Sequence, residues 1–221
     1  MSDNTPLSDV LTTAEGGNLA GVFERWVGTD RVAYYDLTHG DLKAPVVVSY
    51  DDFDQRCARI AGGLLARGLA AGSRIGILAD NSVDYAAAYM GIARAGLVTV
   101  PLNSRQPAAT LTWVAQDAEL ALVLHDRTNA PLVPADTPAI EFGGDAWNAL
   151  IDAEPSPITV VGQDAVAVQM YTSGSTGRPK GVLLTHGGQL FSIDQYLNGV
   201  MPMDPDAVSY THLTLPTTPY V

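Results

Sequence analysis

The run Tyr171-Thr172-Ser173-Gly174-Ser175-Thr176-Gly177-Arg178-Pro179-Lys180-Gly181-Val182 lies between two apolar runs, Ala-Val-Ala-Val-Gln-Met at 165–170 and Val-Leu-Leu at 182–184. The first apolar run predicts a buried strand. Between the two stand three glycines, four serine or threonine hydroxyls and one lysine. Glycines allow positive φ and close backbone approach, so successive N–H groups can converge on an anion. The hydroxyls add hydrogen-bond donors, and Lys180 adds a full positive charge. Pro179 fixes φ just before that lysine. This is the composition of a polyphosphate cradle.

The order is not that of the common P-loop, which places Gly before the lysine and Ser or Thr after it. Here Pro179 precedes Lys180 and Gly181 follows it. Tyr-Thr-Ser-Gly-Ser-Thr-Gly-x-Pro-Lys-Gly instead resembles the phosphate-binding signature of the adenylate-forming enzymes: acyl-CoA and aryl-CoA synthetases, luciferases, and the adenylation domains of nonribosomal peptide synthetases. Two other segments carry the same resemblance. Ser49-Tyr50-Asp51-Asp52-Phe53 is similar to that family's Thr/Ser-Tyr-x-Glu-Leu helix start. Gly91-Ile-Ala-Arg-Ala-Gly-Leu-Val-Thr-Val-Pro-Leu-Asn103 is similar to its Ala-Gly…Val-Pro-Leu-Asn segment. The second of these is, in physical terms, a helix end, a glycine stop and a buried strand, so it marks packing and no site.

Composition bounds the remaining possibilities. The chain has 221 residues, 47% of them hydrophobic and 16% charged, as expected of a globular protein with a sizeable core. Its net charge of −12 argues against nucleic acid or an anionic membrane as partner through a general basic surface. The single cysteine, Cys57, excludes an intrachain disulfide and falls on a predicted apolar helix face, where a buried structural thiol is expected. The N-terminus has neither the basic nor the apolar region of a signal peptide. Arg94 interrupts the best candidate for a membrane span, residues 86–102. A cytoplasmic location is the expectation.

Along the chain, 19–27 predicts a short amphipathic helix, and 32–36 and 46–48 predict strands across a Gly-containing turn. Ser49 opens a helix through a near capping box in which Asp52 replaces the usual Glu or Gln. Phe53, Cys57, Ile60, Ala61, Leu64 and Leu65 line one face of it, and Gly68 stops it. Strands at 74–79, 97–101 and 121–124 then alternate with helices at 82–95, 107–117 and 145–153. Thr185 is placed to cap a last helix reaching residue 197. The Pro-rich stretches 130–138 and 155–157 predict surface connections. Strands and helices in this alternation predict an α/β fold, a mostly parallel sheet layered with helices. By resemblance this is part of the large N-terminal domain of an adenylate-forming enzyme.

The resemblance implies a chemistry. Such enzymes join a carboxylic acid to the α-phosphate of ATP, with Mg2+, expel pyrophosphate, and pass the acyl group from AMP to a thiol, here CoA. Matched onto this chain, Thr172, Ser173, Gly174, Ser175, Thr176, Gly177 and Lys180 would contact the outer phosphates. Arg178 sits at the family's variable position and is expected to be a solvated side chain. Asp164 and Asp194 are expected on the surface, and His186 is expected to be structural, with pocket lining as the alternative. The family's adenine and ribose contacts, its magnesium-binding Glu, most of the acyl pocket and its C-terminal catalytic lysine have no counterpart up to Asp206. A catalytic residue is therefore not identified here, and the chain alone is expected to be inactive. The partners implied are a small carboxylic acid, as in fatty acid metabolism, and CoA.

Three other functions stay open on the residues alone. An amino-acid adenylation domain is favoured by Ser175, where many acyl-CoA synthetases carry Thr. A non-catalytic nucleotide-binding module would use the loop for phosphate only. A P-loop hydrolase is disfavoured by the Pro179-Lys180-Gly181 order. Composition shifts after Asp206: residues 208–221 contain no Ala, Gly, Asp, Glu, Lys or Arg. Residues 208–217 are similar to an in-frame translation of a widely used transposon-type sequencing adapter, so His212 is given no functional weight. The expected division is a flexible 1–18, a truncated AMP-binding domain over 19–207, and a non-native tail at 208–221.

Overall fold

A computed structural model of the chain describes residues 17–41, 43–172 and 178–196. Residues 208–221, which composition sets apart, lie outside the described residues, as does most of the segment 1–18. The N-terminal amphipathic segment forms a 3-10 helix, Leu19–Trp26, capped by Asn18, whose side chain accepts from the Ala20 N–H at 2.9 Å. The same Asn18 side chain donates to Ala93 O at 2.8 Å and Thr159 O at 2.9 Å, tying this helix to two distant segments. Strands β1 (Val32–Asp41) and β2 (Ala44–Ser49) follow as an antiparallel hairpin.

Ser49 ends β2 and caps helix α1 (Tyr50–Ala66) with the expected capping box. Its hydroxyl accepts from Asp52 N–H at 3.1 Å, and Asp52 Oδ2 accepts from Ser49 N–H at 3.2 Å. Two orphan N–H groups of the helix start are thereby satisfied. Phe53, Cys57, Ile60, Ala61 and Leu64 are buried as the periodicity predicts. Leu65 is not; it is 38% exposed, because it lies one residue, about 100°, around the helix from Leu64 and off the buried stripe. Gly68, at φ +75°, turns the chain out of the helix.

Among the described residues a six-stranded sheet runs in the order β6–β5–β3–β4–β7–β8. The strands are β3 (Arg74–Leu78), β4 (Val98–Pro101), β5 (Leu122–His125), β6 (Ala139–Glu141), β7 (Val166–Thr172) and β8 (Lys180–Thr185). Five are parallel, and β8 pairs antiparallel with β7. Helices α2 (Val83–Arg94), α3 (Ala108–Asp117), α4 (Asp145–Ile151) and α5 (His186–Gln195) complete the layers. The expected mostly parallel α/β sheet is present. Its central strands are buried on both faces, which is why β3 and β5 read as continuous apolar runs. Strand β6 escaped the sequence reading because it is only three residues long and follows a Pro-rich segment.

Among the described residues three clusters of buried apolar side chains pack against the sheet, the smallest joining the 3-10 helix, β7 and α5 through Leu19, Val168 and Leu190. Ile60, Leu64, Ile75, Ile77, Ile92 and Leu97 belong to the one shared with α1 and α2. Leu78, Val100, Leu111, Val114 and Val123 belong to the one covered by α3. Cys57 is fully buried in the cluster shared with α1 and α2, and burial pushes its thiol well above the usual range, which suits a packing residue and not a nucleophile. The Pro-rich stretch at 155–157 is more than a surface connection. Ser156 N–H donates to Ala58 O at 2.9 Å, and its carbonyl accepts from Arg94 Nε at 2.8 Å. Arg94 also pairs with Asp54 at 2.6 Å. No helix among the described residues is long and apolar enough to cross a membrane.

Candidate phosphate-binding site

The two ends of the Ser/Gly/Thr loop are held by a β-hairpin. Strands β7 and β8 pair Thr172 with Lys180, Tyr171 with Gly181 and Met170 with Val182. Thr172 and Lys180 therefore face each other as the last ladder pair before the loop. Both are exposed, so a hydroxyl and an ammonium stand together at its mouth. Ser173, Gly174, Ser175, Thr176 and Gly177, the other residues matched to the phosphates, lie outside the described residues. The loop leads into an antiparallel strand. A P-loop leads into a helix whose N-terminus faces the phosphates. The local architecture thus agrees with the Pro-Lys-Gly order in setting this site apart from the hydrolases.

The 165–170 run is only partly the buried strand that the sequence suggests. Ala167, Val168 and Gln169 are buried, but Met170 is 45% exposed. Beyond it, Val182 and Leu183 of the edge strand are 42% and 54% exposed. Strand β8 has a neighbour on one side only among the described residues, so this end of the sheet is less covered than its centre.

Behind the loop stands a chain of side-chain hydrogen bonds. Arg74 Nε donates to Gln169 Oε1 at 2.7 Å, Gln169 Nε2 donates to the Tyr171 hydroxyl at 2.8 Å, and that hydroxyl donates to Asp117 Oδ2 at 2.6 Å. Each group has its partner, so buried Gln169 costs little here. Burial, and then the Asp117 carboxylate beside it, push the Tyr171 phenol well above its usual value, which keeps it a donor. Tyr171 lies across Gly181: a Cβ there would come within 2.8 Å of Gln169 Nε2 and 3.3 Å of the Tyr171 ring. A side chain at position 181 would therefore require Gln169 or Tyr171 to shift within the hairpin.

Arg178 is not simply solvated. It is exposed, but its guanidinium carbon sits 5.9 Å from the centre of the Trp113 ring, within cation–π range. Trp113 in turn meets Tyr171 edge-on at 6.1 Å. Trp113, Asp117, Gln169 and Arg74 were not singled out by the sequence. Trp113 and Asp117 are spaced i, i+4 on α3 and share one face, but their partners lie more than fifty residues away, where no local pattern reaches.

The remaining polar candidates are structural. Asp164 is exposed as expected. Asp194 is buried, against expectation, because α5 turns it to the inner side four residues after buried Leu190. His186 follows the Thr185 cap, is 1% exposed, and its Nδ1 accepts from Leu19 N–H at 3.0 Å. Burial lowers its pKa to about 4. The unfolded chain, with an ordinary histidine near 6.5, then binds more protons between these values. Stability is fully present above pH about 6.5 and is lost as the pH falls toward 4. Comparing melting temperatures over this window with those of His186→Asn, which keeps an acceptor and cannot titrate, should give a shallower slope in the variant. Equal slopes would clear His186 of that role.

The AMP-binding enzyme family pattern matches residues 23–217 of the chain. The chain is similar to the feruloyl-CoA synthase of an Amycolatopsis species, 39% identical over 147 residues that make up 63% of this chain and 28% of that protein. It is similar to the nonribosomal peptide synthetase vlms of a Lecanicillium species, 34% identical over 153 residues, 66% of this chain and 2% of that one. Its fold is similar to that of ATP-bound MatB from Rhodopseudomonas palustris, with a TM-score of 0.67 and 26% identity over 82% of this chain and 37% of MatB. The chain spans a minor part of each.

Proposed function

The chain belongs to the AMP-binding enzyme family, and we propose that its β7–β8 hairpin loop holds the outer phosphates of ATP in a protein that activates a carboxylic acid as an acyl-adenylate and delivers the acyl group to CoA. The observation that carries this reading is the pairing of Thr172 with Lys180 at the mouth of a loop that runs into a strand. In the reaction a carboxylate oxygen of the acid forms a bond to the α-phosphorus, and the bond from that phosphorus to the bridging oxygen breaks. Pyrophosphate leaves with the electron pair. Lys180 would offset the negative charge on that leaving group, and the loop hydroxyls with Thr172 would donate hydrogen bonds to it. ATP supplies the activated phosphorus. The chain's residues supply position and charge.

Feruloyl-CoA synthase and ATP-bound MatB support an ATP-dependent, acid-activating reading. CoA and Mg2+ come by family analogy. No group of three or more His, Cys, Asp or Glu side chains among the described residues gathers to hold a metal, and no step is assigned to one. Similarity to a nonribosomal peptide synthetase, with Ser175 in the loop, favours a second reading in which an amino acid is activated and passed to a carrier-protein thiol.

The test is product identity. The full-length protein, given ATP and a panel of carboxylic and amino acids with CoA, should release AMP and pyrophosphate. Stoichiometric ADP without AMP would remove the adenylate reading, and ATP binding with no acid-dependent turnover would favour a non-catalytic module. The division at residues 207 and 208 is part of the same proposal. Since the family match runs on to residue 217, the genomic reading frame across 206–221 is the measurement that decides it.

A further inference from the structure

Strand β8 is a poor platform for a catalytic charge. It lies at the edge of the sheet, its residues from Lys180 to Leu183 are all exposed, and lysine itself has four rotatable carbons. Something must stop the hairpin end from fraying if the ammonium is to meet a leaving group within a few tenths of an ångström. Among the described residues, a brace that reaches both flanks of the loop stands on α3. Buried Leu111, Val114 and Ala115 anchor that helix to the sheet. Its Trp113 and Asp117 turn toward the hairpin and grip it at two points. Tyr171, next to Thr172, donates to Asp117 and meets Trp113 edge-on. Arg178, two residues before Lys180, lies over the same Trp113 ring. The contacts thus fall on both flanks of the loop, one at the end of β7 and one two residues before β8.

We propose that Trp113 and Tyr171 are positioning residues that brace both flanks of the loop on α3 and thereby set where Thr172 and Lys180 meet the phosphates. Neither touches the nucleotide; they act through the two residues that do. The proposal deepens the phosphate-binding reading above and rests on it. It also gives Arg178 a use, since its charge is held against an aromatic face instead of being free to collapse into the phosphate site. Trp113 is the hinge of the arrangement because both flanks lean on it.

The full-length protein tests this, with MgATP binding by calorimetry and separate KM values for MgATP and the acid. Trp113→Ala should weaken MgATP binding about tenfold, the loss of one shared aromatic and cation–π platform, while the KM for the acid stays within about twofold. Trp113→Phe, which keeps a ring face, should recover most of that loss. Tyr171→Phe, which removes only the hydroxyl, should weaken MgATP binding by several-fold, through loss of its hydrogen bond to the charged Asp117 and of the one it accepts from Gln169. Arg178→Ala should weaken it less, and adding Arg178→Ala to Trp113→Ala should cost nothing more, because the ring it leans on is already gone.

Unchanged MgATP affinity in Trp113→Ala would overturn the proposal. So would multiplying effects in the double variant, or a loss of acid and MgATP affinity in step with a falling melting temperature. The reaction assigned above fails differently: a wild-type protein that binds MgATP but makes no AMP leaves these affinity ratios decisive. A wild-type protein that binds no MgATP removes both.

Discussion

Lys180→Ala in the full-length protein is expected to slow acid-dependent ATP–pyrophosphate exchange by about two to three orders of magnitude, the usual cost of losing one preorganised charge-stabilising group. The sign follows from where charge develops. Departing pyrophosphate gains negative charge in the transition state, and an ammonium there is worth more than in the ground state. A fall in kcat larger than the rise in the KM for ATP would show that selectivity; a rise in KM alone would assign Lys180 to ground-state binding. Lys180→Arg should recover only part of the rate, since a planar fork replaces a compact point charge. Lys180 is exposed and begins an edge strand, so its removal should leave the melting temperature nearly unchanged. That separates chemistry from folding. Exchange at the wild-type rate would take Lys180 out of the mechanism.

Much of this fold can be read from local pattern. The Ser49 capping box, the Thr185 cap, and the glycine stops at Gly68 and Gly96 appear where the residues place them. Each is a short-range rule, with cause and effect within four residues. The loop proposed to hold phosphate stands out in the sequence for the same reason, as a contiguous motif. What supports the loop does not. The Tyr171–Asp117 bond spans 54 positions and the Arg74–Gln169 bond 95, and neither leaves a periodic trace. Exposure of Met170 and Leu65, and burial of Asp194, likewise depend on which neighbours a strand or helix finds. The Pro-rich 155–157 stretch looked like a bare connection because nothing local announces that Arg94 binds its backbone.

That last clamp sets up the largest stability effect expected in this chain, at a glycine pair that sequence rules alone would misjudge. Gly62 and Gly63 sit inside α1, where glycine costs about 1 kcal/mol relative to alanine. Propensity by itself predicts that Gly62→Ala stabilises. The packing says otherwise. A Cβ on Gly62 would lie deep inside van der Waals contact with the carbonyl oxygen of Glu154, and one on Gly63 would come within 2.6 Å of Leu150 Cδ2. A flexible side chain could retreat, but Glu154 offers backbone. That backbone is laced down on both sides, by Arg59 to Ala153 O at 3.4 Å, by Ser156 to Ala58 O at 2.9 Å, and by Arg94 to Ser156 O at 2.8 Å. Moving it strains or breaks bonds to an arginine that also neutralises half-buried Asp54. Overpacking of this kind costs about 1–3 kcal/mol, and a loosened hydrogen bond to a charged group about 1.5–3 more. These exceed the helix gain by roughly 1.5–5 kcal/mol. For a domain of this size the melting temperature of Gly62→Ala should fall by roughly 3–20 °C, with MgATP affinity unchanged once the protein is folded. A rise in melting temperature would mean that residues 153–156 move aside freely, and that the Arg94 clamp contributes nothing to holding α1 and α2 together.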